Sequence, residues 1–229
     1  VIADARHRAA RGNDVSEVVE KGEYLLGREG VGVVGLYPGY LVGDAPVHVG
    51  GSLLIDMPGG VGHDLSQIRP KGTPVNNSAL TSTGLVPFME RFSNSTREVA
   101  QDGRRGALML SVSIKHPDAG AFIDAKMEEG KVTGANVSVR ISDEFMRAAA
   151  ENGYFTQQFP VDSDHPCVRK EISARKLWVK IVHNAWKSAE PGVLFWDTII
   201  RESIPDCYAD LGFRTTSTNP CASPRGDAR

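Results

Sequence analysis

Two hydrophobic periods alternate along this chain from Leu85 onward, and that alternation limits what it can fold into. Leu85, Phe88, Met89, Phe92 and Val99 fall on one face at helical spacing, with Pro87 placed for a first turn. Leu108, Leu110, Val112 and Ile114 then alternate as a strand does. His116-Pro117-Asp118 opens a helix near Ala119 to Glu129, with Gly130 as its stop. Val137, Val139 and Ile141 mark a second strand. Ser142 caps a helix from Asp143 to Asn152, whose first turn is acidic. Ser173 begins another helix, to about Ser188, and Glu190-Pro191-Gly192 turns into a strand from Val193 to Trp196. Strands alternating with helices predict an α/β domain with parallel pairings.

The remaining stretches are less regular. Ser16 to Leu26 reads as a short helix. Gly30 to Gly35 fits plain loop and strand better than a dinucleotide-binding turn, because no acidic residue is placed for a ribose. Residues 154 to 170 are polar with two prolines and predict an exposed excursion. Asp206 to Phe213 reads as a connector, Thr215 to Thr218 as a last strand-like piece, and residues 222 to 229 as a disordered tail.

Charge and cysteine content narrow the function classes. A net charge of -2 gives no electrostatic case for nucleic acid or a membrane surface. No apolar run approaches the roughly 18 to 20 residues of a membrane span, and the N-terminus has no signal-peptide layout. The chain does not begin with methionine, which suggests a piece of something longer. Cys167, Cys207 and Cys221 are an odd set with no close pairing, so we expect a reducing, cytoplasmic setting without a disulfide framework. His165 and Cys167 are too few ligands for zinc, and no metal site is expected.

Four stretches carry candidate chemistry. Thr218-Asn219-Pro220-Cys221 puts a thiol after a residue that fixes its own φ and biases Asn219 toward an extended shape. That is either a stiff mount for a reactive sulfur or a small apolar residue in a turn. Gly59 to Ser66 is glycine-rich, and reads either as a place where other backbone comes close or as a tight packing turn. Ile68 to Val75 is a loop carrying Arg69 and Lys71, followed by a small, polar stretch to Gly84. Gln101 to Ala107 holds two arginines between glycines. It suits phosphate or base recognition and equally suits a solvated helix end. The helix before it is either a core helix or a subunit contact.

Taken in order, several segments resemble the catalytic subunit of ribonucleotide reductase. They are Gly59-Gly60-Val61-Gly62, Ile68-Arg69-Pro70-Lys71-Gly72, Ser82-Thr83-Gly84-Leu85-Val86-Pro87-Phe88-Met89, Gln101 to Ala107, Asn136-Val137-Ser138-Val139 with Asp143-Glu144-Phe145-Met146, Glu190-Pro191-Gly192, and Ser217 to Cys221. The likeness looks closest to the adenosylcobalamin-dependent bacterial branch. It divides the chain into a non-matching 1–56, a barrel-domain piece 57–221 and a non-matching tail 222–229.

The resemblance implies part of a ten-stranded α/β barrel with a cysteine on a central finger loop. Cys221 matches the cysteine that becomes a thiyl radical and takes the ribose 3′-hydrogen, and Asn219 the amide that holds the ribose. Gly60 matches a backbone position lining the substrate site. Arg69 and Asn76 fall where the family binds a dNTP or ATP effector. Gln101, Arg104 and Arg105 match the loop that relays effector identity. The helix near 85–100 matches a homodimer contact. Implied partners are a ribonucleotide substrate, adenosylcobalamin (or a metal-radical partner subunit) and a thioredoxin-type reductant.

Three departures accompany the likeness. Ser223 stands where the family has a glutamate base two residues after the radical cysteine, and a hydroxyl is a poor proton acceptor. No cysteine precedes Cys167, although the family places a redox cysteine upstream of Gly59. Residues 1–56 do not look like the first barrel elements. The expectation is therefore a reductase fragment inactive by itself, with a non-catalytic dNTP-binding module as the alternative.

Overall fold

The structure is a computed structural model, and it describes residues 32–34, 60–75, 80–98, 100–101, 104–211 and 215–218. One sheet organises the chain. Its strands are β1 (Gly32–Val34), β2 (Gly60–Asp64), β5 (Ala107–Ser113), β6 (Asn136–Ile141) and β9 (Gly192–Phe195). They pair in that order and all are parallel, with Gly62 opposite Met109 and Ser111 opposite Ser138. A parallel sheet whose spatial order equals its chain order, with right-handed crossovers, carries its helices on one face. Those helices are α1 (Val86–Glu98), α2 (Ala119–Asp124), α3 (Asp143–Ala150) and α4 (Ala174–Ser188).

The two faces of the sheet differ in chemistry. Val61, Leu108, Leu110, Val112, Val137, Val139 and Ile141 pack with Leu85, Met89, Phe92, Phe122, Phe145 and Ile181 in one buried cluster. Strand alternation sends the intervening residues to the opposite face. There stand Gly62, Asp64, Ser111, Ser113, Ser138 and Arg140, with Met109 and Leu194 as the apolar members. Parallel strands are ordinarily apolar on both faces, so this small, polar face is where the fold leaves room for chemistry.

Local signals account for most boundaries. Ser142 caps α3, its Oγ accepting from the Phe145 amide, which typically contributes about 1 kcal/mol. Ser173 caps α4 through the Lys176 amide. Glu190, in the turn before β9, accepts from the Val137 amide at 3.0 Å and pairs with Lys126. The α/β class and the parallel sheet are as expected. Gly32–Val34 is a strand, the outermost of the described sheet, in line with the plain reading of that stretch rather than a dinucleotide turn.

Several expectations are corrected. Residues 154 to 170 are not an irregular excursion: β7 (Tyr154–Phe159) and β8 (Val168–Ser173) form an antiparallel ribbon. The alternation was disguised because one inward position is polar. Phe155, Gln157 and Phe159 are buried in turn, and the Gln157 Nε2 donates to the Ile114 carbonyl at 3.0 Å. Helix α2 stops at Asp124 instead of Glu129, and the chain continues in turns closed by Met127 N to Asp124 O and Lys131 N to Glu128 O. Trp196 opens α5 (Trp196–Glu202) instead of ending a strand, and Pro205–Leu211 is a 3-10 helix rather than a plain connector. Thr215 to Thr218 is not a strand; side chains from elsewhere hold it. Gly60–Asp64 is a strand and not a turn. The expected helix at Ser16 to Leu26 and the tail 222–229 lie outside the described residues.

Candidate functional site

The polar face has a built centre. Asp64 ends β2. Its Oδ1 accepts from the Ser66 hydroxyl at 2.9 Å and from Ser111 at 3.3 Å. Its Oδ2 lies 3.3 Å from Nη1 of Arg140, on β6. The Arg140 guanidinium sits 4.2 Å from the centre of the Trp196 ring. Burial pushes the Asp64 carboxyl above its ordinary value, while the guanidinium and the two serine hydroxyls oppose that shift. Asp64 is buried and Arg140 largely so, and each has a partner, as charges removed from water require.

Over this face lies the segment 215–218. Arg140 Nη1 donates to the Thr216 carbonyl at 3.0 Å. Two residues on, the Thr218 carbonyl passes so close to Gly62 that a Cβ there would overlap its oxygen and lie 2.8 Å from the Ser217 Oγ. The glycine-rich stretch therefore does admit other backbone, and that backbone is the lead-in to Asn219 and Cys221. Thr218 Oγ1 and Arg140 Nε are buried here without a hydrogen-bond partner among the described residues.

The candidate residues fall into three places. Gly60 begins β2 and shares the face of Gly62. Asn219 and Cys221 follow directly on Thr218 but, like Asn76, lie outside the described residues. Arg69 is exposed in the loop after β2, its Nη1 donating to the Pro74 carbonyl at 3.3 Å. Gln101 and Arg104 pair across a two-stranded antiparallel ribbon, β3 (Ala100–Gln101) with β4 (Arg104–Arg105), where a loop was expected. The loop of Arg69 is tied to the residues just before α1, since Ser82 Oγ donates to the Arg69 carbonyl. The ribbon follows the other end of α1. A helix of 13 residues is about 20 Å long, so one chain does not bring Arg69 and the ribbon together.

Two supports of the Arg69 loop were not legible as such. The His116 Nε2 donates to the Ile68 carbonyl at 2.8 Å, while its Nδ1 accepts from the Asp118 amide, which fixes the tautomer. Asp118 Oδ2 accepts from the Lys71 amide at 2.9 Å. The pair thus grips the loop on both sides of Arg69. Burial lowers the His116 pKa, opposed by the Ile68 carbonyl and Asp118. Arg140 and Asp64 were also missed. Their signal was a charge alternating with apolar residues in each strand, Asp64 next to His63 and Arg140 between Val139 and Ile141.

Comparison with known proteins decides the family. A family model described as "Ribonucleotide reductase, barrel domain" matches residues 51–223. The chain belongs to this family. It is a piece resembling the barrel domain of B12-dependent ribonucleotide reductases. It is 36% identical over 168 residues to a "Vitamin B12-dependent ribonucleoside-diphosphate reductase" of Thermoplasma acidophilum, covering 71% of this chain and 21% of that protein. A protein of the same description from Mycobacterium tuberculosis is 32% identical over 166 residues, covering 71% of this chain and 23% of it. The "Ribonucleoside-diphosphate reductase large chain" of Neurospora crassa is 27% identical over 181 residues, covering 66% and 19%. This reductase barrel piece thus spans about a fifth of the length of the relatives it matches.

Among the described residues, no helix is long and apolar enough to cross a membrane. No group of three or more His, Cys, Asp and Glu among them is placed to hold a metal. Neither His63, stacked on Phe92 in the core, nor His116, both of whose ring nitrogens are engaged, is free to ligate a corrinoid.

Proposed function

We propose that this chain supplies part of the catalytic barrel of a ribonucleotide reductase, a half-barrel whose polar face carries the substrate side of thiyl-radical chemistry. One observation carries the reading. The lead-in to Asn219-Pro220-Cys221 lies across the polar face of a sequentially ordered parallel sheet, seated where Gly62 has no side chain. Closure into ten strands would cover that face with the other half of the barrel. Cys221 would carry the radical and take the ribose 3′-hydrogen. Asn219 would hold the ribose through its amide, and Gly60 would line the substrate. With Ser223 in place of a carboxylate, the chain itself offers no general base at that position.

Regulation belongs to the same proposal. Arg69 and Asn76 would meet the triphosphate of a dNTP or ATP effector, with Gln101, Arg104 and Arg105 reading it from the ribbon. Because α1 separates the two groups in one chain, a ligand touching both needs a second copy. This favours a homodimer through α1, whose outward side carries Arg91, Asn94 and Glu98. Adenosylcobalamin as the radical source rests on the vitamin B12 dependence of the similar reductases, and a thioredoxin-type reductant on the family.

The alternative is a nucleotide-binding module without catalysis. It is favoured by Ser223 and by the lack of any cysteine before Cys167. One pair of measurements separates the readings. Purified chain given ribonucleotide, adenosylcobalamin and a dithiol is expected to form no deoxyribonucleotide; turnover would overturn the fragment reading. Titration with the four dNTPs is expected to raise the unfolding free energy by about 1.4 kcal/mol at ten times Kd. No shift with any of them at millimolar concentration removes the effector assignment and the module reading with it.

A further inference from the structure

We propose that Arg140, held by Asp64 and by the face of Trp196, is the positioning residue for the stem that delivers Asn219 and Cys221. The inference rests on the reading that Cys221 bears the chemistry, but its structural content is independent of turnover.

The geometry leaves the stem one course. Thr216 is held from β6, by Arg140, and Thr218 is seated on β2, at Gly62. These strands flank β5, so they stand two strand spacings apart, roughly 10 Å. Two residues of extended chain reach only about 7 Å. The stem must cross the sheet nearly straight, and the arginine side chain makes up the difference. Upstream, the Thr215 amide donates to Asp206 Oδ1 at 3.2 Å, and its hydroxyl meets that of Ser203 at 2.7 Å. The stem is thus held by hydrogen bonds at Thr215 and Thr216 and seated against Gly62 at Thr218.

Arginine suits this work better than lysine. Its Nη1 carries two N–H groups and meets both the Asp64 carboxylate and the Thr216 carbonyl, while the planar guanidinium, unlike an ammonium, stacks on an aromatic ring. Each constraint here uses one of those properties: Asp64 Oδ2 at 3.3 Å, Thr216 O at 3.0 Å, and Trp196 at 4.2 Å. Asp64 is in turn oriented by Ser66 and Ser111. A cation so largely removed from water is costly without such partners. An ion pair serving only stability would leave the course of the stem unchanged when it is removed.

The test reads that course directly. The 229-residue chain carries Cys167→Ser and Cys207→Ser, leaving Cys221 as its one native thiol, and Lys176→Cys places a second label on exposed α4. Pulsed electron paramagnetic resonance between two nitroxides gives a distance distribution. In this background it is expected to be narrow. Arg140→Met is expected to at least double its width. Asp64→Asn should act in the same direction, and Arg140→Lys should give an intermediate width. Circular dichroism establishes which variants are folded. If Arg140→Met does not fold, Asp64→Asn decides. A folded Arg140→Met or Asp64→Asn chain with unchanged width overturns the proposal. That outcome would leave the reductase reading standing, and failure of the nucleotide titration would leave the measured clamp standing.

Discussion

Gly62→Ala is expected to drive the segment 215–218 off the sheet, at a cost to stability of up to about 3 kcal/mol. The added carbon would overlap the Thr218 carbonyl oxygen and crowd the Ser217 Oγ at 2.8 Å. A flexible side-chain end could swing away, but this obstacle is backbone. It is also fixed two residues upstream by Arg140. Either the segment leaves its seat or β2 shifts against β5, and both lose buried contacts. Denaturant unfolding measures the cost. Gly120→Ala in α2 is the control, because a Cβ there meets nothing within 4 Å. Alanine at that helical position should be neutral or stabilising by up to roughly 1 kcal/mol. Equal effects at both positions would mean that Gly62 is not a seat.

Gly62 also shows how far the sequence could be read. Gly59 to Ser66 announced that something passes close by, but not what. The partner lies more than 150 residues downstream, and only the fold brings Thr218 to it. Element types were legible where a single period ran long enough, as in α1, β5 and α4. They failed where a polar residue held an inward position. Gln157 broke the alternation of β7 because its amide is satisfied by the Ile114 carbonyl. Arg140 and Asp64 escaped for a related reason. A charge in a strand reads as an outward residue until its partner is known, and here the partner sits on another strand of the sheet. Motif order carried the family where local physics left Gln101 to Ala107 undecided, and the ribbon was still drawn as a loop.

His63 gives the second large effect, in acid. It stands on the helix side of β2, fully buried and stacked on Phe92 at 4.6 Å between ring centres. Neither ring nitrogen has a hydrogen-bond partner among the described residues, so protonation gains nothing there and loses hydration. Burial lowers the pKa to about 4 from 6.5. Between those values the unfolded chain binds a proton that the folded one does not, so stability rises with pH. The His63 contribution is intact above pH 6.5 and is lost as pH falls toward 4. The loss attributable to this ring is about 2 kcal/mol between pH 7 and pH 5, from the shift and the 1.36 kcal/mol per pKa unit. Asp64 acts oppositely: a carboxyl raised by burial holds its proton longer in the folded state, so acid favours folding through that group. His63→Leu separates the two, because it keeps Asp64 and removes the imidazole. At pH 7 the variant should match the parent or exceed it slightly, since two unpartnered buried nitrogens disappear. At pH 5 it should be the more stable by about 2 kcal/mol. Parallel stability curves for the two chains from pH 7 to 5 would show that His63 is not the group that titrates.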